Sequence, residues 1–222
     1  MDALILGGGY GRRLLGEYAP KTYIPKGLVE IAGRSCIDHI LGAFSPDLIS
    51  KIIVETNREG EQFYRRWRRH STNKDKTIVF VEPFSSPGAC LGLLETIDYV
   101  FQELRFSQPV LILSPDNFCT ENQDDLVRNY KEDATVGTYV VSNLVSASKY
   151  GVVKIRAGQI VECVEKPNKP RYRTVRTSCE IWSPRMFALL REWNSSSNPD
   201  RVGDFINFAI NKGLTIHNQR IK

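Results

Sequence analysis

"LGGGYGRRLLGEYAPKTYIPKGLVEIAGR" occupies Leu6–Arg34 and sets how the rest of the chain is read. It follows a short apolar opening, Ala3–Leu6, which has the composition of a strand. Four glycines, Gly7, Gly8, Gly9 and Gly11, then stand ahead of Arg12-Arg13 and a Pro25-Lys26 pair. Glycine gives up side-chain packing and costs backbone entropy. Its concentration here implies that something approaches the backbone closely, and the basic residues imply that it is anionic. A strand feeding a glycine loop can aim backbone N–H groups at phosphate oxygens, with Arg13 as mobile charge. The two common phosphate motifs do not fit. Gly11 and Gly16 have P-loop spacing, but Glu17 stands where a lysine is required. Gly9-Tyr10-Gly11 begins a dinucleotide fingerprint, but Leu14 replaces its third glycine.

Working outward, apolar β-type runs alternate with amphipathic stretches. Lys51–Thr56, Thr77–Glu82, Val110–Leu113 and Ala134–Val141 read as strands; Ile37–Phe44, Glu59–His70, Pro87 to about Leu104 and Asp124–Lys131 read as helices. After about residue 135 the pattern changes. Gly151–Arg156 and Gln159–Val164 read as a hairpin about Ala157-Gly158. Thr177–Trp182 reads as a strand, Pro184–Trp193 and Val202–Asn211 as helices, and Leu214–Asn218 as a last strand. Such alternation argues for a largely parallel sheet with helices on both faces. One domain over residues 1–222 is expected, with a nucleotide half to about 135 and an acceptor half after it.

Composition narrows the class. The chain is 41% apolar and 25% charged, with 30 basic against 25 acidic residues, a net charge of +5. That suits an anionic partner without specifying one. Five cysteines form no CxxC pair, which argues against a zinc or redox motif and for reduced thiols. No apolar run nears the roughly 20 residues of a membrane span. The chain opens directly on a strand, so no targeting segment is expected, and a cytoplasmic protein is. "FYRRWRRH" (Phe63–His70) could meet a nucleic-acid backbone. On a helix, however, Phe63 and Trp67 are i, i+4 and would pack inward, leaving the arginines on a solvated face. No nucleic-acid or membrane partner is expected, and a homo-oligomer stays open.

The opening stretch resembles the pattern LAGGxGTRL…PKxLxPIxGKP of the sugar-phosphate nucleotidyltransferase family. Gly8, Gly9, Gly11, Arg13, Leu14, Pro25, Lys26, Leu28, Ile31 and Gly33 lie on it, with Gly7 for alanine, Arg12 for threonine and about three extra residues between Leu14 and Pro25. Further matches follow in order. "EPFSSPGACLGLLETI" (Glu82–Ile97) resembles the base-contacting stretch, and "VLILSPDN" (Val110–Asn117) the strand ending in LGDN, with Pro115 for glycine. "KYGVVKI…IVECVEKP" resembles the YGVV…EKP pair, and "TSCEIWSP" a TGIYxFSP-like strand with Ser178 for glycine.

The resemblance implies a three-layer α/β/α sandwich with a mostly parallel, mixed sheet, a Rossmann-like fold. It implies transfer of an NMP from an NTP to a sugar-1-phosphate, giving an NDP-sugar and pyrophosphate. By position, Leu6, Gly8, Gly9, Gly11, Arg13 and Gly88 would bind the nucleotide. Arg13 and Lys26 would act on its phosphates, and Asp116 would bind Mg²⁺. Tyr150, Gly151, Glu165, Lys166, Ser178 and Glu180 would face the acceptor, with Glu180 an unexpected acid at a specificity position. The family's second metal carboxylate comes from a WxDxGTP-like segment, and this sequence ends at "HNQRIK" before one. Asp116 is therefore the one matched metal ligand. Other phosphorylated acceptors (phosphocholine, the molybdenum cofactor) and a non-catalytic relative stay open at this stage.

Overall fold

The structure is a computed structural model and describes residues 1–9, 23–83, 91–117, 119–194 and 200–221. It divides into two compact units, Met1–Cys90 with Ile112–Asp124, and Leu91–Leu111 with Asp125–Lys222.

The first unit is built on parallel strands. β1 (Asp2–Leu6) pairs with β4 (Ile52–Thr56), and β4 with β5 (Thr77–Val81). All five residues of β4 are buried, as a strand covered on both faces requires. Between β1 and β4 come a two-residue hairpin, β2 (Glu30–Ile31) and β3 (Arg34–Ser35), and helix α1 (Cys36–Gly42). Ser35 caps α1 by accepting from the Asp38 amide. Helix α2 (Arg58–His70) packs on β4 and β5. Its buried side chain is Tyr64, while Phe63 and Trp67 are only half-buried. The inward stripe thus lies one residue from where the Phe63–Trp67 spacing placed it. Trp67 donates its indole N–H to Asp38 at 3.1 Å, and the arginines stay largely on the solvent side.

Strand β6 (Val110–Leu113) runs beside β1, and the boundary between the units falls within it. In the second unit the strand order continues from β6 through β10 (Thr174–Trp182), β7 (Ala134–Val140) and β11 (Ile216–Arg220) to β9 (Gln159–Glu165) and β8 (Gly151–Arg156). β10 is antiparallel to β7, β11 is parallel to β7, and β8–β9 is the expected hairpin, so the sheet is mixed. β10 begins earlier than its apolar core suggests and carries an irregular register between Arg176 and Glu180. Helices α3 (Leu93–Leu104), α4 (Asp124–Arg128), α5 (Leu144–Ala147), α6 (Pro184–Asn194) and α7 (Val202–Asn211) complete the described elements. An aromatic core joins several of them. Phe187 stacks on Phe101 at 4.4 Å between ring centres, and Trp182 lies 5.3 Å from Phe205. Each such pair contributes about 0.5–1.5 kcal/mol beyond its buried area.

Candidate active site

In the first unit, the turn after β1 carries Gly7, Gly8 and Gly9. Its backbone is gripped by the end of β4. The Gly7 amide donates to the Glu55 carbonyl at 2.8 Å, and the Gly8 amide to Glu55 Oε2 at 3.2 Å. Asn57 Nδ2 donates to the Gly8 carbonyl at 2.6 Å, while Asn57 Oδ1 accepts from the Gly60 amide and caps α2. Gly7 has no room for a side chain: a Cβ there would lie 2.7 Å from both the Glu55 carbonyl oxygen and the Tyr64 hydroxyl. Buried Tyr64 therefore explains why glycine replaces the alanine of the resembled pattern. Burial, then the charges of Tyr23 and Glu55, push the Tyr64 phenol far above its ordinary value, so it stays neutral. Gly9 is exposed, with open space where a Cβ would sit.

Lys26 opens a short 3₁₀ turn, Lys26–Leu28, entered through Pro25. Its Nζ lies 3.3 Å from Asp116 Oδ2. Asp116 follows β6 in a turn closed by the Asn117 amide on the Ser114 carbonyl, and the Ser114 hydroxyl donates to Asp116 Oδ1. Both members of the ion pair are partly exposed, at 32% and 47% of their side-chain surface. Exposed pairs stabilise by only about 0–1 kcal/mol, so an incoming phosphate can readily replace the Asp116 carboxylate beside Lys26. Pro115, which departs from the resembled glycine, packs against Gly27: a Cβ on Gly27 would lie 2.8 Å from Pro115 Cβ. A bulkier residue at 115 is thus met by the smallest at 27. Arg13, Gly11 and Gly88 lie outside the described residues. Leu6 ends β1, directly before the loop.

Magnesium requires hard oxygen ligands in octahedral geometry. A carboxylate is a suitable hard ligand, but among the described residues no three acidic, histidine or cysteine side chains gather for a metal. The residues fit magnesium as one protein carboxylate, with phosphate and water filling the other positions.

The second unit holds the six residues that the resemblance assigns to the acceptor, Tyr150, Gly151, Glu165, Lys166, Ser178 and Glu180. Gly151 opens β8 directly opposite Glu165, the last residue of β9. Glu165 Oε2 accepts from the Gly203 amide at 3.1 Å, and Lys166 lies 3.8 Å from Oε1. Lys166 takes a left-handed backbone (φ 45°) and donates its amide to the Tyr150 carbonyl. Tyr150 is 47% exposed and is not a core residue. Ser178 lies within the irregular stretch of β10, half-buried. Glu180 is 2% exposed, and both of its oxygens are engaged. Arg176 reaches Oε1 at 2.5 Å from Nη2 and 2.7 Å from Nε, and the Trp182 indole donates to Oε2 at 2.9 Å. The same Arg176 fills the space a Gly151 Cβ would need. Burial works to lower the Arg176 pKa, but Glu180, with Cys163 and Glu165, together more than offset it and the guanidinium stays charged. Arg176 was not legible as a site residue. On a regular strand, residues four apart lie far from bonding distance, and only the register irregularity brings it to Glu180.

The family model described as nucleotidyl transferase matches residues 2–220. A UTP–glucose-1-phosphate uridylyltransferase of Haloferax volcanii is 25% identical over 225 residues, covering 100% of this chain and 88% of that protein. A mannose-1-phosphate guanyltransferase of Gibberella zeae is 32% identical over 174 residues, covering 75% of this chain and 45% of its own. The chain spans about half the length of the mannose-1-phosphate guanylyltransferases it matches. Among solved structures, a UDP-glucose pyrophosphorylase complexed with UDP-glucose superposes with a TM-score of 0.78 at 19% identity, covering 100% of this chain and 92% of that one. An inositol-1-phosphate CTP transferase from T. maritima gives 0.76 at 13%, over 99% and 84%. These structural likenesses establish the fold. A family match that enters at the first residue of β1 and leaves at the last of β11 takes in every element described above, and the chain belongs to the nucleotidyl transferase family.

Proposed function

We propose that the chain transfers a nucleoside monophosphate from an NTP to a sugar-1-phosphate, forming an NDP-sugar and releasing pyrophosphate. The observation that carries this reading is the Lys26–Asp116 pair, held partly exposed in the same unit as the glycine loop. In the reaction, an acceptor phosphate oxygen forms a bond to the α-phosphorus while the bond to pyrophosphate breaks. No covalent enzyme intermediate is required, so positioning and charge stabilisation supply the catalysis. The Gly8–Gly9 backbone would lie along the nucleotide. Lys26 would offset charge as it moves toward the leaving pyrophosphate, joined by Arg13 on the strength of the motif. Asp116 would hold magnesium, which when bound offsets negative charge at the phosphates. Tyr150, Gly151, Glu165 and Lys166 would receive the acceptor, Glu165 accepting from its hydroxyls. Glu180 would act there through Arg176, which it holds against Gly151. The names of relatives that act on glucose-1-phosphate and mannose-1-phosphate support the sugar assignment.

The test is a matrix of NTPs against sugar-1-phosphates, scored by pyrophosphate release. At least one pair should turn over with magnesium. Nucleotide binding with no release from any pair would overturn the transfer reading and leave a non-catalytic relative.

A further inference from the structure

In the second unit, Arg176 is a nearly buried cation with one nitrogen to spare: its side chain is 10% exposed, and that of Glu180 3%. Nε and Nη2 both fall on a single carboxylate oxygen, Glu180 Oε1, at 2.7 and 2.5 Å. The other oxygen, Oε2, takes the Trp182 indole. Nη1 makes no hydrogen bond among the described residues, nor is it one of the buried side-chain atoms that lack a partner. It therefore keeps some exposed surface. Buried polar groups are as a rule bonded, so a guanidinium fixed through two nitrogens and open at the third is arranged to meet something else. The planar fork fixes where that third nitrogen stands: Nη1 lies on the side of Cδ, opposite the edge formed by Nε and Nη2. Cγ and Cδ are the atoms that fill the notch beside Gly151, each 2.8 Å from where a Cβ would sit, and Glu165 Oε2 lies 3.2 Å from the same point. The Glu165 carboxyl is itself held in place. Oε2 accepts from the Gly203 amide, while Lys166 Nζ, at 3.8 Å from Oε1, is too far for a hydrogen bond and leaves that oxygen able to accept.

We propose that Arg176 is a specificity-determining residue of the acceptor site: Nη1 donates to an oxygen of the sugar while Glu165 accepts from the hydrogen on that oxygen, so the two together read a free hydroxyl. The proposal rests on the sugar-1-phosphate reading given above. Arginine can only donate, and an ionised carboxylate can only accept. A hydroxyl does both from one atom. A carboxylate on the sugar cannot donate, an ammonium cannot accept, and a deoxygenated carbon does neither. The charges of Arg176, Lys166, Glu165 and Glu180 cancel, so the cluster favours an uncharged substituent. Glu180 and Trp182 fix the guanidinium before the sugar arrives, and little rotamer freedom is left to lose on binding.

Arg176→Met combined with Glu180→Gln removes the cation and its counter-charge together, which a buried site tolerates better than the loss of one partner. Arg176→Lys keeps a cation beside Glu180, loses Nη1, and serves where the double variant does not fold. Pyrophosphate release should be followed with a panel of sugar-1-phosphates that includes glucose-1-phosphate and mannose-1-phosphate, each beside its monodeoxy analogues, and NTP affinity by calorimetry. In the native chain, one monodeoxy analogue should lose about 10²-fold or more in kcat/KM against its parent, because a site built to bond a hydroxyl is left unpaired without it. In either variant the parent should fall toward that analogue, the ratio between them should shrink to about tenfold or less, and NTP affinity should stay native. A role in packing alone would weaken every acceptor alike and keep the native ratio. That result, or a native chain indifferent to every deoxygenation, overturns the proposal and leaves the transfer reading standing. If the native chain releases pyrophosphate with no sugar-1-phosphate, the transfer reading fails and the role of Arg176 falls with it.

Discussion

Among single residues, Lys26 bears most directly on the proposed transfer. Its ammonium is held beside Asp116 at 3.3 Å without being buried, so it is oriented and still available to a phosphate. Replacing it with alanine removes charge needed where charge moves. Lys26→Ala should lower kcat by about 10²-fold or more while changing acceptor KM little, as steady-state pyrophosphate release would show. Near-normal turnover would remove Lys26 from the chemistry. Lys26, Asp116, Gly8 and Gly9 stand out as candidates in the sequence because short motifs carry residue types in fixed order. Glu55, Asn57 and Tyr64, which seat the loop, were not. A glutamate within "KIIVET" carries no sign of burial in the sequence, and its burial follows from β4 lying between β1 and β5.

Among the elements, β10 departs most from what its sequence implies. Period-two alternation puts Glu180 and Trp182 on one face, as their hydrogen bond requires, while the register shift between Arg176 and Glu180 lets Arg176 close onto Glu180 from four residues away. Glu180→Gln would leave a buried guanidinium short of its counter-charge, a change that typically costs about 3–5 kcal/mol. The variant should melt several degrees lower. It should also show a raised acceptor KM with unchanged NTP affinity, because Arg176 packs against Gly151. A variant with native melting temperature and native acceptor kinetics would show that the pair neither stabilises the sheet nor shapes the acceptor side. The β/α alternation itself was readable from apolar runs and amphipathic periods. The β2–β3 hairpin and α5 were not, since elements of two to four residues are too short to show a period.

At the scale of the whole molecule, the chain offers magnesium one matched carboxylate, and no cluster of three candidate ligands occurs among the described residues. Metal affinity should therefore be borrowed from the nucleotide. Calorimetry should detect magnesium with a competent NTP present and only weak binding without it. Tight binding to the nucleotide-free protein would reveal a further carboxylate from outside the matched motifs. The net charge of +5 acts in the same direction, favouring association with a polyanionic substrate more than with a free cation.

Asn57 serves two masters with one amide: Oδ1 secures the first turn of α2 through the Gly60 amide, and Nδ2 secures the Gly8 carbonyl. The start of a helix and the glycine loop are therefore tied to each other through one side chain. Any ligand that quiets the loop must also suppress fraying of α2. Amide hydrogen exchange reports such opening, and the Gly60 N–H is bonded to Asn57 Oδ1, so its exchange should slow when nucleotide binds. An unchanged exchange rate at Gly60 in the saturated protein would mean that the loop and the helix open independently.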